Sequence, residues 1–473
     1  MSKLTPLSGF PEWLPAQRIA EQYVLDRLRR TFELYGFAPL ETRAVEPLDQ
    51  LLRKGETSKE VYVLRRLHAG PAGGADDDAL GLHFDLTVPF ARYVLQHAGR
   101  LAFPFRRYQI QKVWRGERPQ EGRYREFLQA DIDVVDRDTL APHYEAELPL
   151  VIGDALGGLP LGGAGDRPPI RVQVNNRKVC EGFYRGLGLP DPEAVLRAVD
   201  KLDKIGPDKV AALLAETAGA TDAQARACLS LAQIATDDAS FTDRVHALGV
   251  SDPLLDEGLA ELARVVETAA AYAPGLCRAE LKIARGLDYY TGTVYETQLL
   301  GYERFGSVCS GGRYDNLASA GADRFPGVGI SIGVSRLLGL LFGADALGAT
   351  REVPTCVLVA LPDEDRRRDC DRVAAALRRR GIPAEVAPAA AKYGKQIRFA
   401  QRRGIPYVWF PGEPGGAADT VKDIRSGEQV EADPAAWEPP AADRWPRLRG
   451  PVTAGPVTVD AVTAGPVTVG GGS

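Results

Sequence analysis

Residues 105–136, FRRYQIQKVWRGERPQEGRYREFLQADIDVVD, constrain this chain more than any other stretch, because each end alternates like a strand and the middle cannot. In the first arm Tyr108, Ile110 and Trp114 share one face and Arg107, Gln109 and Gln111 the other, which predicts a half-buried strand. In the second arm Leu128, Ala130, Ile132 and Val134 are apolar, while Gln129, Asp131 and Asp133 point the opposite way. A strand projects alternate side chains in parallel, about 7 Å apart, so two carboxylates and an amide there suit a bound cation or a polar ring. Between the arms Arg115, Arg118, Arg123 and Arg125 crowd a turn shaped by Gly116, Pro119 and Gly122. Guanidinium forks match phosphate oxygens and keep their charge, so such a loop beside a carboxylate face suggests a polyphosphate meeting an amine. The plainer reading is a solvated hairpin tip in which Glu117, Glu121 and Glu126 neutralise the arginines.

As a whole this pattern resembles motif 2 of the class II aminoacyl-tRNA synthetases, and RGERPQEGRYREF is similar to the version found in histidyl-tRNA synthetases. One motif leaves other members of the class open, so the remaining sequence has to decide.

At 473 residues the chain should hold two to four units. Its formal net charge of -5 requires any RNA contact to come from local basic patches. Six cysteines with no CxxC pair read as reduced core residues of a cytosolic protein, and the five histidines have no metal-ligand spacing. No window approaches a membrane span, and the N-terminus lacks a basic region followed by an apolar run, so a cytoplasmic protein with no membrane partner is expected.

From about residue 16 to 35, Tyr23, Val24, Leu28, Phe32 and Tyr35 recur at helical spacing and Gly36 is placed to end the helix. Pro39 and Pro47 then favour an edge or interface strand. This pairing is similar to class II motif 1, which builds a homodimer interface. Residues 68–81 are small, acidic and glycine-rich, an exposed loop by composition. In the HFDLTVPFARYV that follows, a lone buried carboxylate would be costly, so Asp85 reads as a site residue, with Thr87 beside it. Residues 155–169 read as a flexible Gly/Pro connection, and 186–275 as helices without a motif.

In LKIARGLDYYTGTVYE, Gly292 within a strand pattern marks a close approach of ligand or backbone, and the tyrosine pair is either core or site. RGLDYYTGTVYE resembles the signature that separates histidyl enzymes from other class II synthetases. SVCSGGRYDNL resembles their second specific stretch, in which Gly311 and Gly312 would let backbone pass close to substrate. In GVGISIGVSRLLGLLF a single arginine, Arg336, is embedded in apolar sequence and needs an anion, from protein or ligand. That run resembles class II motif 3. After residue 353 strands alternate with helices, and residues 392–403 carry five positive side chains and no acid, which favours RNA phosphate contact. KYGKQIRFAQRRGIPYVWF and DTVKDIRSGEQ resemble the anticodon-binding domain of histidyl and related enzymes. From residue 450 four pentapeptides of the GPVTA type precede GGGS and read as disordered.

The resemblance to the histidyl-tRNA synthetase family runs from about Leu14 to Trp437. It implies an α+β catalytic domain on an antiparallel sheet with a helical insertion, plus a C-terminal α/β anticodon-binding-like domain and a disordered tail. The expected division is 1–170 and 279–345 for the catalytic domain, 171–278 for the insertion, 353–437 for the anticodon-binding-like domain and 438–473 for the tail. Implied substrates are histidine, ATP with Mg2+ on its phosphates, and tRNA(His), acted on by a cytoplasmic homodimer. By position, Arg115 and Arg285 flank the α-phosphate, Glu117 and Arg123 orient adenine and the outer phosphates, and Arg336 takes the γ end. Asp85, Thr87 and Gln129 would hold the α-ammonium group of histidine. Asp133 and Tyr290 would face the imidazole, with Arg285 and Tyr289 beside them, and no protein-only metal site is implied. Lys395, Arg398 and Arg402 would meet tRNA. A histidine-activating paralogue with another acceptor, or a non-catalytic regulatory paralogue, would be built on the same fold.

Overall fold

The computed structural model describes residues 4–52, 60–65, 79–159, 169–283, 289–321, 323–413 and 416–450. Arg285, most of the acidic loop at 68–81, residues 160–168 of the Gly/Pro connection and the pentapeptides from 451 lie outside these. The chain divides into two units, residues 1–11 with 25–341, and residues 12–24 with 342–473.

The first unit is organised by a nine-stranded sheet. Its strands in chain order are β1 (Ala38–Pro39), β2 (Phe105–Trp114), β3 (Glu126–Val135), β4 (Ile170–Asn176), β5 (Ala235–Thr236), β6 (Cys277–Glu280), β7 (Thr293–Leu299), β8 (Ser307–Tyr314) and β9 (Gly327–Gly333). Across the sheet they run β1-β2-β3-β9-β8-β7-β4-β6-β5. All neighbours are antiparallel except β1 with β2 and β4 with β6. The arginine-tipped hairpin is the pair β2 and β3, in register from Phe105 opposite Val135 to Trp114 opposite Glu126.

The first arm departs from the half-buried expectation. Arg107 and Gln109 are fully buried, while Ile110 and Trp114 of the apolar face are only half-buried, because the polar face of the sheet is covered at these positions. Alternation tells which residues share a face but not what lies over it. Inside, the Gln109 amide Nε2 donates to Thr42 and Gln111, at 2.9 and 2.7 Å.

The insertion is shorter than 171–278. β4 and β6 stand inside the main sheet, so the helical part begins with Arg177–Gly186 and ends with Pro253–Tyr272. β4 is buried at six of its seven positions, including Asn175 and Asn176, and those polar residues hid it from a search for apolar runs.

In the second unit β10 (Val357–Val359), β11 (Ala384–Val386), β12 (Tyr407–Phe410), β13 (Thr420–Asp423) and β14 (Gln429–Glu431) form a sheet in the order β11-β10-β12-β13-β14. The first three strands are parallel and the last two turn back, the mixed α/β sheet expected. The expectation that order ceases at 438 fails. Asp443 accepts from the Tyr407 hydroxyl at 2.7 Å and from Arg425 at 2.9 and 2.7 Å. Arg351 donates to the carbonyls of Asp443 and Arg444, and Leu448–Arg449 pairs antiparallel with Gly348–Ala349. A segment with no periodic pattern is held here by polar contacts made at a distance in sequence.

Candidate active site

Three neighbouring strands, β3, β9 and β8, build the floor of two adjoining pockets. In β9 the odd positions are Gly327, Gly329, Ser331 and Gly333, and the even ones Val328, Ile330 and Ile332 are buried apolar residues. The small face leaves room above the sheet and the branched face fills the core below it.

The first pocket holds about 460 Å³ of free space open to solvent and is lined by Asp85, Thr87, Gln129, Asp131, Asp133, Tyr289 and Tyr290 among others. The second, of about 840 Å³, is lined by Arg115, Glu117, Arg123, Tyr124, Phe127 and Arg336 among others. Arg115, Gln129, Ser310 and Ser331 line both, so the acidic pocket opens into the basic one. Thus the carboxylate face of β3 and two of the four hairpin-tip arginines, Arg115 and Arg123, meet as two connected sites, while Arg118 and Arg125 line neither pocket.

The acidic pocket is organised by Arg107, a residue that sequence reasoning placed on a strand face and gave no role. Its guanidinium is wholly buried, pairs with Asp133 at 2.7 Å and lies 4.3 Å from the centre of the Phe90 ring. The Tyr314 hydroxyl donates to the other Asp133 oxygen at 2.7 Å. Burial, followed by Asp133 itself, pushes the Tyr314 hydroxyl well above its ordinary pKa, so it remains a donor. Asp133 therefore already accepts on both oxygens. Gly329 stands opposite it, and a Cβ there would lie 2.1 Å from Asp133 Oδ1. Asp85, at the start of the helix Thr87–His97, accepts from the Val88 N–H at 3.1 Å.

Tyr290 rests on Gly312, where a Cβ would come within 2.8 Å of the ring. Gly311 faces the backbone of Gly329 in the same manner, at 2.1 Å. The paired glycines thus make room for a tyrosine and a neighbouring strand, and Gly311 also lines the first pocket. Behind them Arg313 joins the buried Glu145 at 2.7 Å and Asp315 at 3.0 Å, and Asp315 accepts from Thr291 at 2.6 Å. This network anchors the residues that follow Tyr290.

On the basic side the Arg115 Nε–H donates to the Phe84 carbonyl at 2.9 Å, and the guanidinium lies 5.1 Å from the centre of the Phe127 ring. Glu117 sits between Arg115 and Arg123, at 3.9 and 3.5 Å. Arg336 donates to the Phe305 carbonyl at the far wall. Apart from Arg285, every residue expected to bind histidine or ATP lines one of these two pockets. Asp131, Tyr314, Ser310 and Ser331 were not assigned. The alternating small residues of β9 were the available signal for Ser331, and the odd face of β3 for Asp131.

The family described as histidyl-tRNA synthetase matches residues 9–337, and an anticodon binding domain matches 355–435. The chain is 60% identical over 459 residues to a histidine–tRNA ligase of Micrococcus luteus, covering 95% of this chain and 99% of that protein. Among solved structures, a histidyl-tRNA synthetase from Nostoc sp. PCC 7120 superposes with a TM-score of 0.80 at 34% identity, covering 91% of this chain and 97% of the other. A Bacillus halodurans protein titled ATP phosphoribosyltransferase regulatory subunit/histidyl-tRNA synthetase gives a TM-score of 0.70 at 17% identity, covering 88% and 100%, and shows the shared fold alone.

Proposed function

The chain belongs to the histidyl-tRNA synthetase family and is a histidine–tRNA ligase, and from that premise we propose how its two pockets divide the reaction. The acidic pocket takes histidine and the basic one ATP. The observation that carries this is their junction, where Arg115, Gln129, Ser310 and Ser331 serve both. Asp85, Thr87 and Gln129 receive the α-ammonium group. Tyr290 and Asp133 flank the imidazole, with Tyr289 behind. The histidine carboxylate then attacks the α-phosphorus, the bond to the β-phosphate oxygen breaks, and pyrophosphate leaves. In the second step the terminal ribose hydroxyl of tRNA(His) attacks the activated carbonyl and AMP departs.

No side chain forms a covalent intermediate in this scheme. Catalysis is alignment plus neutralisation of developing charge. Arg115, with Arg285 from outside the described residues, meets the α-phosphate, Glu117 and Arg123 orient adenine and the outer phosphates, and Arg336 takes the γ end. Glu117 is the one carboxylate lining the basic pocket among the described residues, so a Mg2+ there would draw most of its ligands from the phosphates and water. Charging total tRNA with each amino acid in turn tests the assignment. Histidine alone should be esterified, and any other result overturns it.

The helix Tyr393–Arg402 supports a tRNA role for the second unit. Gln396 and Ala400 are buried on its inner side, and Lys395, Arg398 and Arg402 are exposed on the other. Arg403 is already paired with Glu385, so it adds less free charge than the sequence suggested. Replacing Lys395, Arg398 and Arg402 together by glutamate should lower kcat/KM for tRNA at least about tenfold and steepen no ATP–pyrophosphate exchange defect, because phosphate contacts dominate RNA affinity. Equal loss of both activities would refute the division.

The protein is further proposed to act in the cytoplasm as a homodimer through the motif 1 segment. Among the described residues no helix is long and apolar enough to cross a membrane. Light scattering should give twice the chain mass, and a fully active monomer would contradict the dimer.

A further inference from the structure

Two acceptor oxygens in the acidic pocket are buried and, among the described residues, have nothing to accept from: Gln129 Oε1 and Asp131 Oδ1. Buried polar atoms without partners are rare enough to require a cause. They are linked through one hydroxyl, since Gln129 Nε2 donates to Ser331 Oγ at 2.9 Å and Ser331 bonds to Asp131, its partner in the strand register. We propose that Asp131 is a further counter-ion of the substrate's α-ammonium group, beside Asp85, receiving it together with the Gln129 carbonyl oxygen. The inference rests on the acidic pocket being the histidine site.

The other two carboxylates carry protein partners, Asp133 on both oxygens. Asp133 accepts from Arg107 and Tyr314, and Asp85 caps a helix through Val88. An ammonium carries three N–H donors and an imidazole nitrogen one, so only the ammonium satisfies both open oxygens at once. Position agrees. Gln129 and Ser331 line the nucleotide pocket too, which puts this pair at the end where the α-carbon must lie for its carboxylate to reach phosphorus. Asp133 stands two residues farther along the strand, at ring distance.

The surroundings set a pH dependence. Arg107 and Gln109 reach Asp131 from β2, Ser331 from β9, Asp133 from its own strand, Asp85 from the start of the helix Thr87–His97 and Tyr289 from the pocket wall. Burial pushes the Asp131 carboxyl up to about 7, helped by Asp133 and Asp85 and opposed by Arg107 and Ser331. Above that value the empty pocket offers a carboxylate. Below it histidine must displace a proton, so its affinity falls as pH drops, by about tenfold from about pH 8 to about pH 6.

The test is calorimetric binding to the full chain of histidine and of its deaminated analogue, 3-(imidazol-4-yl)propionate, with Asp131→Asn beside the unaltered protein. The substitution keeps the shape and removes a buried charge. Histidine binding should weaken at least about tenfold at about pH 8 and lose the part of its pH dependence that exceeds titration of the free amino acid. The analogue and ATP should bind within about twofold of the unaltered protein. Unchanged histidine affinity, or equal weakening for histidine and analogue, overturns the assignment to the ammonium. If the unaltered protein binds no histidine, the reading of the pocket itself fails instead. Should Asp131→Asn not fold, the pH dependence of the unaltered protein decides: a flat histidine affinity after correction for the free amino acid overturns the proposal, and a loss of about tenfold toward low pH upholds it.

Discussion

Arg115→Ala should slow single-turnover adenylate formation by about 10²–10³ while histidine binding stays within a few-fold. The expectation comes from where Arg115 stands and how it is held. It lines both pockets, its Nε–H is fixed on the Phe84 carbonyl, and its guanidinium lies by the Phe127 ring. A donor oriented before substrate arrives costs no reorganisation when charge builds on the α-phosphate, so its loss falls on the rate and not on affinity. Lysine should rescue only part, lacking the planar fork. A variant with normal activation at saturating substrates and a raised KM for ATP would make Arg115 a ground-state binding residue.

The second large effect is on stability. Asp133→Ala strands the Arg107 guanidinium, whose side chain has 0% exposure, and removes the acceptor for Tyr314. Removing one partner of a buried pair typically costs about 3–5 kcal/mol, more than the hydrogen bond itself is worth. The ligand-free protein should therefore unfold at distinctly lower urea, in the transition that reports the first unit. A double replacement, Arg107→Met with Asp133→Leu, should recover much of the loss though not histidine binding. A shift below about 1 kcal/mol for Asp133→Ala would show that Arg107 finds another anion. This prediction also separates two roles. Asp133 holds the pocket's shape, with both of its oxygens engaged by Arg107 and Tyr314.

Much of this site could be read from residue order alone. Period-two alternation placed Gln129, Asp131 and Asp133 on one face, and the arginine loop stood beside it in sequence. What alternation could not supply was occupancy. Whether Asp131 or Asp133 keeps an open oxygen depends on Tyr314, 181 positions away from Asp133, and on Arg107 from the facing strand. Likewise the glycine pair at 311–312 was expected to let backbone pass close to substrate, and what it admits in the structure is the Tyr290 ring and the β9 backbone. The insertion's ends were misplaced because β4 carries buried asparagines, and Asn175 there donates to the carbonyls of Leu281 and Ile283 at 3.2 and 2.8 Å, contacts invisible in a local window. For the hairpin and the glycines a local pattern identified the element and a distant partner decided its use, whereas β4 escaped the local pattern altogether.

The pairing of Leu448–Arg449 with Gly348–Ala349 has a topological consequence. The chain arrives at the five-stranded sheet and departs from it along the same two-stranded ribbon, so the polypeptide between them forms a loop whose neck is closed by backbone hydrogen bonds. A fold with adjoining ends can be joined head to tail and reopened elsewhere, or lifted out and grafted as a cassette, without rerouting any strand.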